Sequence, residues 1–238
     1  MRVKVYESSL RLIEDASEIL FRTTHETHGP LGVATGSTFE PIYKHFLANY
    51  EMPKDKTFVA LDEYFRLEEN HPSSFRQTLL RQLVIPAGLE PENLIMPPNT
   101  DNQILIDQFE SMLQEIGPIE LQLLGIGSNG HIAFNEPGSE RESRTRKVKL
   151  SKETIAANSK HFEGQVPGYA ITQGVQTIWQ SKKILLVATG REKAKAIASL
   201  FGKTLTPASY IADHPNLEIM VDSEAGALIP DDLKNKTV

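Results

Sequence analysis

The chain has 238 residues, 25 of them basic and 31 acidic, a net charge of −6 and no cysteine. That length buries a full core as one large α/β domain or as two small ones, and the acidic balance argues against a broad nucleic-acid footprint, so an anionic ligand must be held by a few local cations. Without cysteine there is no disulfide, thiolate metal site or Cys nucleophile. Met1–Glu7 lacks a long apolar stretch and no run of about 18 apolar residues occurs anywhere, which gives the expectation of a soluble, cytoplasmic protein without a membrane partner.

In chain order, Val3 to Tyr6 predicts a short strand, and Ser8 to about His28 a helix with Leu12, Ile13, Ala16, Ile19 and Leu20 on one face. Gly29-Pro30 stops it. The run Leu31-Gly-Val-Ala-Thr35-Gly36-Ser37-Thr38 leads from a strand through small residues into a helix near Phe39, with Pro41 in the first turn. Free N–H groups at such a helix start, joined by the Ser and Thr hydroxyls, form a cradle for phosphate or carboxylate, the alternative being an ordinary helix cap. Phe58 to Phe65 reads as another apolar strand, ending in the adjacent carboxylates Asp62 and Glu63. In open parallel sheets the ligand crevice lies beyond the carboxyl ends of the strands, which would place Asp62 in the crevice as a general base, against the plainer reading of a turn aspartate. Asn70–Ser74 predicts a cap for a helix reaching about Val84, with His71 structural, and Asp101–Ile116 a further helix.

The next segment carries the most chemistry. Apolar residues from Leu121 to Ile126, broken only by Gln122, predict a strand covered on both faces, opening through Gly125, Gly127 and Gly130 into a polar set. There His131 has Asn129 two residues before it and Glu136 five after, so both can orient an imidazole that exchanges protons near neutrality. The plainer alternative is a glycine-rich turn whose histidine satisfies a carbonyl. Beyond it, Glu140–Lys147 reads as a solvated loop, Lys152–Gly168 with Lys160-His161 as a cover over the crevice, Ile171–Trp179 as a helix, Lys183–Ala188 as a strand, Arg191–Leu200 as a helix and Leu217–Val221 as a last strand. Val187-Ala-Thr-Gly190 repeats Val33-Ala-Thr-Gly36, and the second copy runs into Arg191, Lys193 and Lys195, cations at a helix start where only an anion is welcome; the alternative is solvated helix charge. Strands alternating with helices predict a three-layer α/β/α parallel sheet, taken as one catalytic domain over 1–238 with a mobile lid at about 150–170.

Three segments together, Ala34–Thr38, Leu61–Tyr64 and Gly125–Gly138 with its Gly-His-Ile-Ala-Phe-Asn-Glu-Pro run, resemble the glucosamine-6-phosphate deaminase family over nearly the whole chain. The resemblance implies a Rossmann-like sheet, no metal or organic cofactor, and conversion of glucosamine 6-phosphate and water to fructose 6-phosphate and ammonia, with the class label hydrolase or isomerase. It implies His131 as the acid/base that opens the sugar ring, oriented by Glu136 and Asn129, and Asp62 as the base that moves a proton between C2 and C1. Gly36, Ser37, Thr38, Lys193 and, from the cover, Lys160 would hold the phosphate. Two positions depart from longer members: Asn129 stands where they carry Asp, and Lys160 where they carry Arg. Longer members that form hexamers and respond to N-acetylglucosamine 6-phosphate build an effector site between subunits from an extended C-terminal tail and a basic pair following the Ser143-Arg-Thr-Arg146 run, including a lysine two positions past it. Here that position is Val148, so the expectation is a monomer or small assembly without activation, unless Lys147 or Lys149 substitutes. The rival readings are a 6-phosphogluconolactonase-type hydrolase and a sugar-phosphate sensor without catalysis.

Overall fold

The computed structural model describes residues 1–160, 162–202 and 204–234; His161, one residue of the expected cover, lies outside them. In chain order the elements are β1 (Arg2–Tyr6), α1 (Ser9–Glu26), β2 (Leu31–Val33), α2 (Phe39–Asn49), β3 (Phe58–Ala60), β4 (Asp62–Tyr64) and α3 (Phe75–Leu79), which runs on as a π-helical turn over Leu80–Val84. They continue as β5 (Leu94–Ile95), α4 (Gln103–Glu115), β6 (Leu121–Leu124), β7 (Arg146–Lys149), α5 (Lys152–Asn158), β8 (Tyr169–Thr172), α6 (Val175–Trp179), β9 (Ile184–Ala188), α7 (Ala194–Ser199) and β10 (Leu217–Asp222).

The main sheet has seven strands in the order β1-β10-β9-β6-β2-β3-β5, every pair parallel. The residues explain why: β2, β3, β6 and β9 are buried along their whole length, as both faces of a parallel sheet must be when helices cover them. The amphipathic α1 buries Leu12, Ala16 and Leu20, and Ser8 caps it by accepting from the Leu10 N–H at 3.2 Å. This is the expected α/β architecture.

A second, antiparallel sheet, β4-β8-β7, departs from the sequence reading. Phe58–Phe65 is not one strand. Gln173 donates its backbone N–H to the Leu61 carbonyl and its Nε2 to that of Ala60, both at 2.8 Å, and past this clamp the chain turns to pair with β8, Asp62 opposite Thr172. Ile171 therefore lies in a strand rather than a helix, and Arg146 and Lys147 lie in β7 rather than a solvated loop, with Arg146 also opposite Thr172. Such short, mixed-polarity strands have no pattern of their own; what holds them is a separate cluster of Tyr64, Phe134, Leu150, Val166 and Ala170. The expected cover at 152–168 is more regular than its sequence suggests, opening on α5, where Ser151 accepts from the Thr154 N–H at 3.0 Å.

Candidate active site

Because β9, β6, β2 and β3 are adjacent and parallel, the segments that follow them emerge at one edge of the sheet. These are Gly190–Lys193, Gly125–Glu136, Thr35–Thr38 and Asp62. All of the expected site residues except Lys160 lie on them.

At the centre, after β6, the chain folds back so that the Gly127 N–H bonds the His131 carbonyl at 2.9 Å and the Gly130 N–H bonds that of Gly127 at 3.0 Å. A Cβ on Gly127 would occupy the space of the His131 ring, so the glycine is required by that close approach. Ala133 sits at φ 50, a strained value for a residue with a Cβ, in a turn closed by the Asn135 N–H on the Ile132 carbonyl at 2.9 Å. Asn135 is fully buried and structural: its Nδ2 reaches the Gln173 carbonyl at 2.8 Å, and its Oδ1 accepts from Arg146 at 2.8 Å.

Within this frame Asn129, His131 and Glu136 meet. Asn129 accepts the His131 N–H at 3.1 Å and donates its Nδ2 to Glu136 Oε2 at 2.9 Å. The same Oε2 faces His131 Nδ1 at 3.6 Å, an ion-pair distance just beyond a hydrogen bond, and Nδ1 is buried without a hydrogen-bond partner among the described residues. Burial alone would push the Glu136 carboxyl up, but contacts from His131, Thr154 and Asn129 prevail and hold it down at about 2. Glu136 is thus an anion near neutrality, and its charge faces the Nδ1 edge of the imidazole.

The two neighbouring carboxylates of β4 have different fates. Glu63 is buried and accepts from the N–H groups of Tyr64, Phe75 and Arg76 at 2.8, 3.1 and 2.9 Å, capping α3. Asp62 is half-buried and has no side-chain partner among the described residues. Burial, with the Glu63 charge beside it, pushes its carboxyl well above the usual carboxylate range, in the direction that favours its accepting a proton.

The repeated Val-Ala-Thr-Gly turns behave alike. Gly36 and Gly190 have φ of 113° and 90°, in the left-handed region that favours glycine, and each redirects the chain from strand to helix. Ser37 is exposed, and Thr38 precedes α2 without capping it, so neither hydroxyl is spent on the helix. The Phe39 ring lies 3.5 Å from where a Gly125 Cβ would stand, bringing the start of α2 against the end of β6. Lys193 is half-buried, and burial lowers its ammonium against the raising charge of Glu192. Lys160 is exposed just past α5 and, among the described residues, makes no hydrogen bond or ion pair with these loops.

Sequence reasoning missed several supports. Asp222, at the end of β10, accepts the Gly190 N–H at 2.9 Å; the Tyr43 hydroxyl donates to the Ala34 carbonyl at 2.7 Å and braces the end of β2; and Ser151 and Thr154 reach Glu136 from α5. Only the last had a legible signal, the Ser-Lys-Glu-Thr spacing of a helix start. A cavity of about 460 Å³ opens beside Glu136, lined also by Ser139, Glu140, Arg146 and Lys149.

This is an α/β protein that carries a histidine–carboxylate cluster at the carboxyl edge of its parallel sheet. It belongs to the family of glucosamine-6-phosphate isomerases and 6-phosphogluconolactonases, whose model matches residues 7–220. It is 37% identical over 247 aligned positions, 98% of each chain, to the glucosamine-6-phosphate deaminase of Thermoanaerobacter pseudethanolicus. It is 39% identical to glucosamine-6-phosphate deaminase 2 of Bacillus subtilis, over 82% of this chain and 84% of that one. Among solved structures, a monomeric glucosamine-6-phosphate deaminase superposes with a TM-score of 0.90 at 33% identity, covering 96% of this chain and 100% of that one. The 6-phosphogluconolactonase of Leishmania guyanensis shares the fold, with a TM-score of 0.76 at 17% identity over 96% and 98% of the two chains.

Proposed function

We propose that this protein is a glucosamine-6-phosphate deaminase, converting glucosamine 6-phosphate and water to fructose 6-phosphate and ammonia in the cytoplasm as one catalytic domain. The observation that carries the reading is the pairing of an oriented histidine, with Asn129 and Glu136 arranged around it, and a carboxylate, Asp62, without a side-chain partner among the described residues. The relatives that share about two fifths of its residues bear that name.

The chemistry is a sequence of proton transfers. His131 passes a proton between the ring oxygen and the C1 hydroxyl, opening the sugar to its aldehyde. Asp62 then takes the C2 proton while the aldehyde oxygen gains a proton from the C2 ammonium, leaving an enolamine, and Asp62 returns its proton to C1, so that C2 becomes a protonated imine. Water adds to the imine, and ammonia leaves with the electrons of the C–N bond. Each positioned acid–base group contributes roughly 10²–10⁴-fold in rate, enough to run these steps by side chains alone. Ser37 and Thr38, the N–H groups at the start of α2, and Lys193 receive the phosphate, with Lys160 reaching it by movement of the 150–170 segment. The overall reaction couples aldose–ketose isomerisation to deamination, which describes it better than simple hydrolysis.

The test is to incubate the protein with glucosamine 6-phosphate and measure ammonia and fructose 6-phosphate together, with chelator present. Equimolar release is expected. Hydrolysis of 6-phosphogluconolactone alone would assign the chain to the other activity named for its family, and binding without turnover would make it a sensor.

A further inference from the structure

The carboxylate of Glu136 divides its two oxygens between different parts of the fold. Oε2 faces His131 and Asn129, whereas Oε1 accepts from the Thr154 hydroxyl and, at 3.3 Å, from the Ser151 N–H. Thr154 is buried at 3% exposure, and its oxygen accepts from the Ser151 hydroxyl at 3.1 Å, so its only proton is committed to Glu136. Ser151 caps α5 and Thr154 lies in its first turn. At the other end of that helix, Asn158 donates to the Tyr64 hydroxyl at 2.8 Å, two residues from Asp62.

We infer that Thr154 is a positioning residue for the deamination: its hydroxyl holds Glu136 in the orientation that presents Oε2 to His131 Nδ1, tying α5 to the acid–base histidine. The terminal torsion of a glutamate is broad, and the Asn129 amide at 2.9 Å and the 3.6 Å approach of His131 both hold the carboxylate at Oε2, so an anchor on its far oxygen completes its orientation. Anchored there, the carboxylate keeps the imidazole proton on Nδ1 and leaves Nε2 as the nitrogen that meets substrate. The charged groups around the pair are few: Glu140, Arg146 and Lys149 line the adjoining cavity, and Lys152 and Glu153 on α5 are exposed. None of them replaces the Thr154 hydroxyl at Oε1 among the described residues.

This inference rests on the deaminase reading, and its test separates the two. Thr154→Val removes the hydroxyl at nearly constant volume, and Thr154→Ser keeps it. The valine variant is expected to lose kcat on the order of 10-fold, the scale of one charge-assisted hydrogen bond, with KM within about 2-fold, while the serine variant recovers most of the rate. Nitrogen NMR of the imidazoles, with His131 assigned by the signal that vanishes in His131→Gln, should show one tautomer in the wild type and in Thr154→Ser, and a mixture in Thr154→Val. Should the valine variant not fold, Thr154→Ala, which leaves a space instead of a misplaced methyl, takes its place in both measurements. Unchanged kcat, or a loss that serine does not restore while the tautomer stays single, overturns the role of Thr154. A wild type that releases no ammonia overturns the deaminase reading instead, and the tautomer comparison still decides whether Thr154 governs His131.

Discussion

Asp62 and Glu63 are adjacent and chemically alike, yet only one is available for chemistry. Glu63 spends its oxygens on three N–H groups of the chain, while Asp62 has none among the described residues, so its ionised form is disfavoured by burial and by its neighbour's charge. Asp62→Asn should therefore abolish turnover and stop exchange of the C2 proton with solvent; persisting exchange would remove Asp62 as the base. Its effect on stability has the opposite sign. A carboxyl whose folded value is raised contributes fully only below its unfolded value, near 3.8, and that contribution is lost as pH rises. The asparagine variant should thus melt higher than wild type at pH 7, at about 2–4 °C per kcal/mol recovered for a chain of this size, with the gap closing in acid. Glu136 is the reverse case. Its folded value of about 2 lies below the ordinary 4.5, so its contribution is complete above 4.5 and disappears as pH falls toward 2. In urea titrations across pH, Glu136→Gln should be less stable than wild type at pH 7 and converge with it in acid; a gap independent of pH would show that the charge is not what stabilises the site. Asn129 adds something an aspartate could not, since its amide both accepts from the His131 N–H and donates to Glu136.

At the level of elements, the site is a set of loops on neighbouring strands. The repeated Val-Ala-Thr-Gly turns were legible because only glycine readily takes the φ values seen at Gly36 and Gly190, and because each follows an uninterrupted apolar strand. The loop after β9 carries Lys193, the proposed phosphate-binding cation, whose burial costs its charge some hydration and so favours an incoming anion. Lys193→Ala should raise KM for glucosamine 6-phosphate by roughly 10-fold or more, the scale of a lost charge-assisted hydrogen bond, with a smaller change in kcat because the phosphate is remote from C1 and C2. An unchanged KM would take Lys193 out of the site. The sheet formed by β4, β8 and β7 could not be read in advance. Its strands are three or four residues long, and β7 is Arg-Lys-Val-Lys, whose polar residues find partners only in the fold: Arg146 on Asn135, and Lys147 on Asp101 at 3.2 Å and over the Phe65 ring.

For the whole molecule, the question is whether a second ligand site governs the first. The Arg146 guanidinium is engaged by Asn135 and by Ser139 at 3.0 Å, Val148 packs against the Tyr64–Phe134 cluster, and Lys147 is paired with Asp101. Of the cations considered for an effector, only Lys149 is both exposed and on the cavity beside Glu136. Cooperativity requires a distinct site whose occupancy biases two states, and one uncommitted lysine is a weak basis for binding an effector phosphate. We therefore expect hyperbolic kinetics with a Hill coefficient near one, no activation by N-acetylglucosamine 6-phosphate, and a monomer or small assembly by sedimentation. Sigmoidal curves that turn hyperbolic on adding that compound would contradict this.

The sequence by itself determined the parallel α/β class, because strands covered on both faces must be apolar throughout and therefore stand out, as in Ile184–Ala188. It also determined the family, through the glycine turns and the His-to-Glu run, whose residues are close along the chain and so are read together. What lay far apart along the chain was decided by tertiary structure alone. The fold spent Glu63 on the N-terminus of α3 and left Asp62 open, turned β4 away from β3 at the Gln173 clamp, and brought Thr154 to a glutamate 18 positions away. A carboxylate, an amide or a hydroxyl is equally able to bond backbone, side chain or substrate, and which of these it meets is fixed by packing between distant segments rather than by its neighbours along the chain.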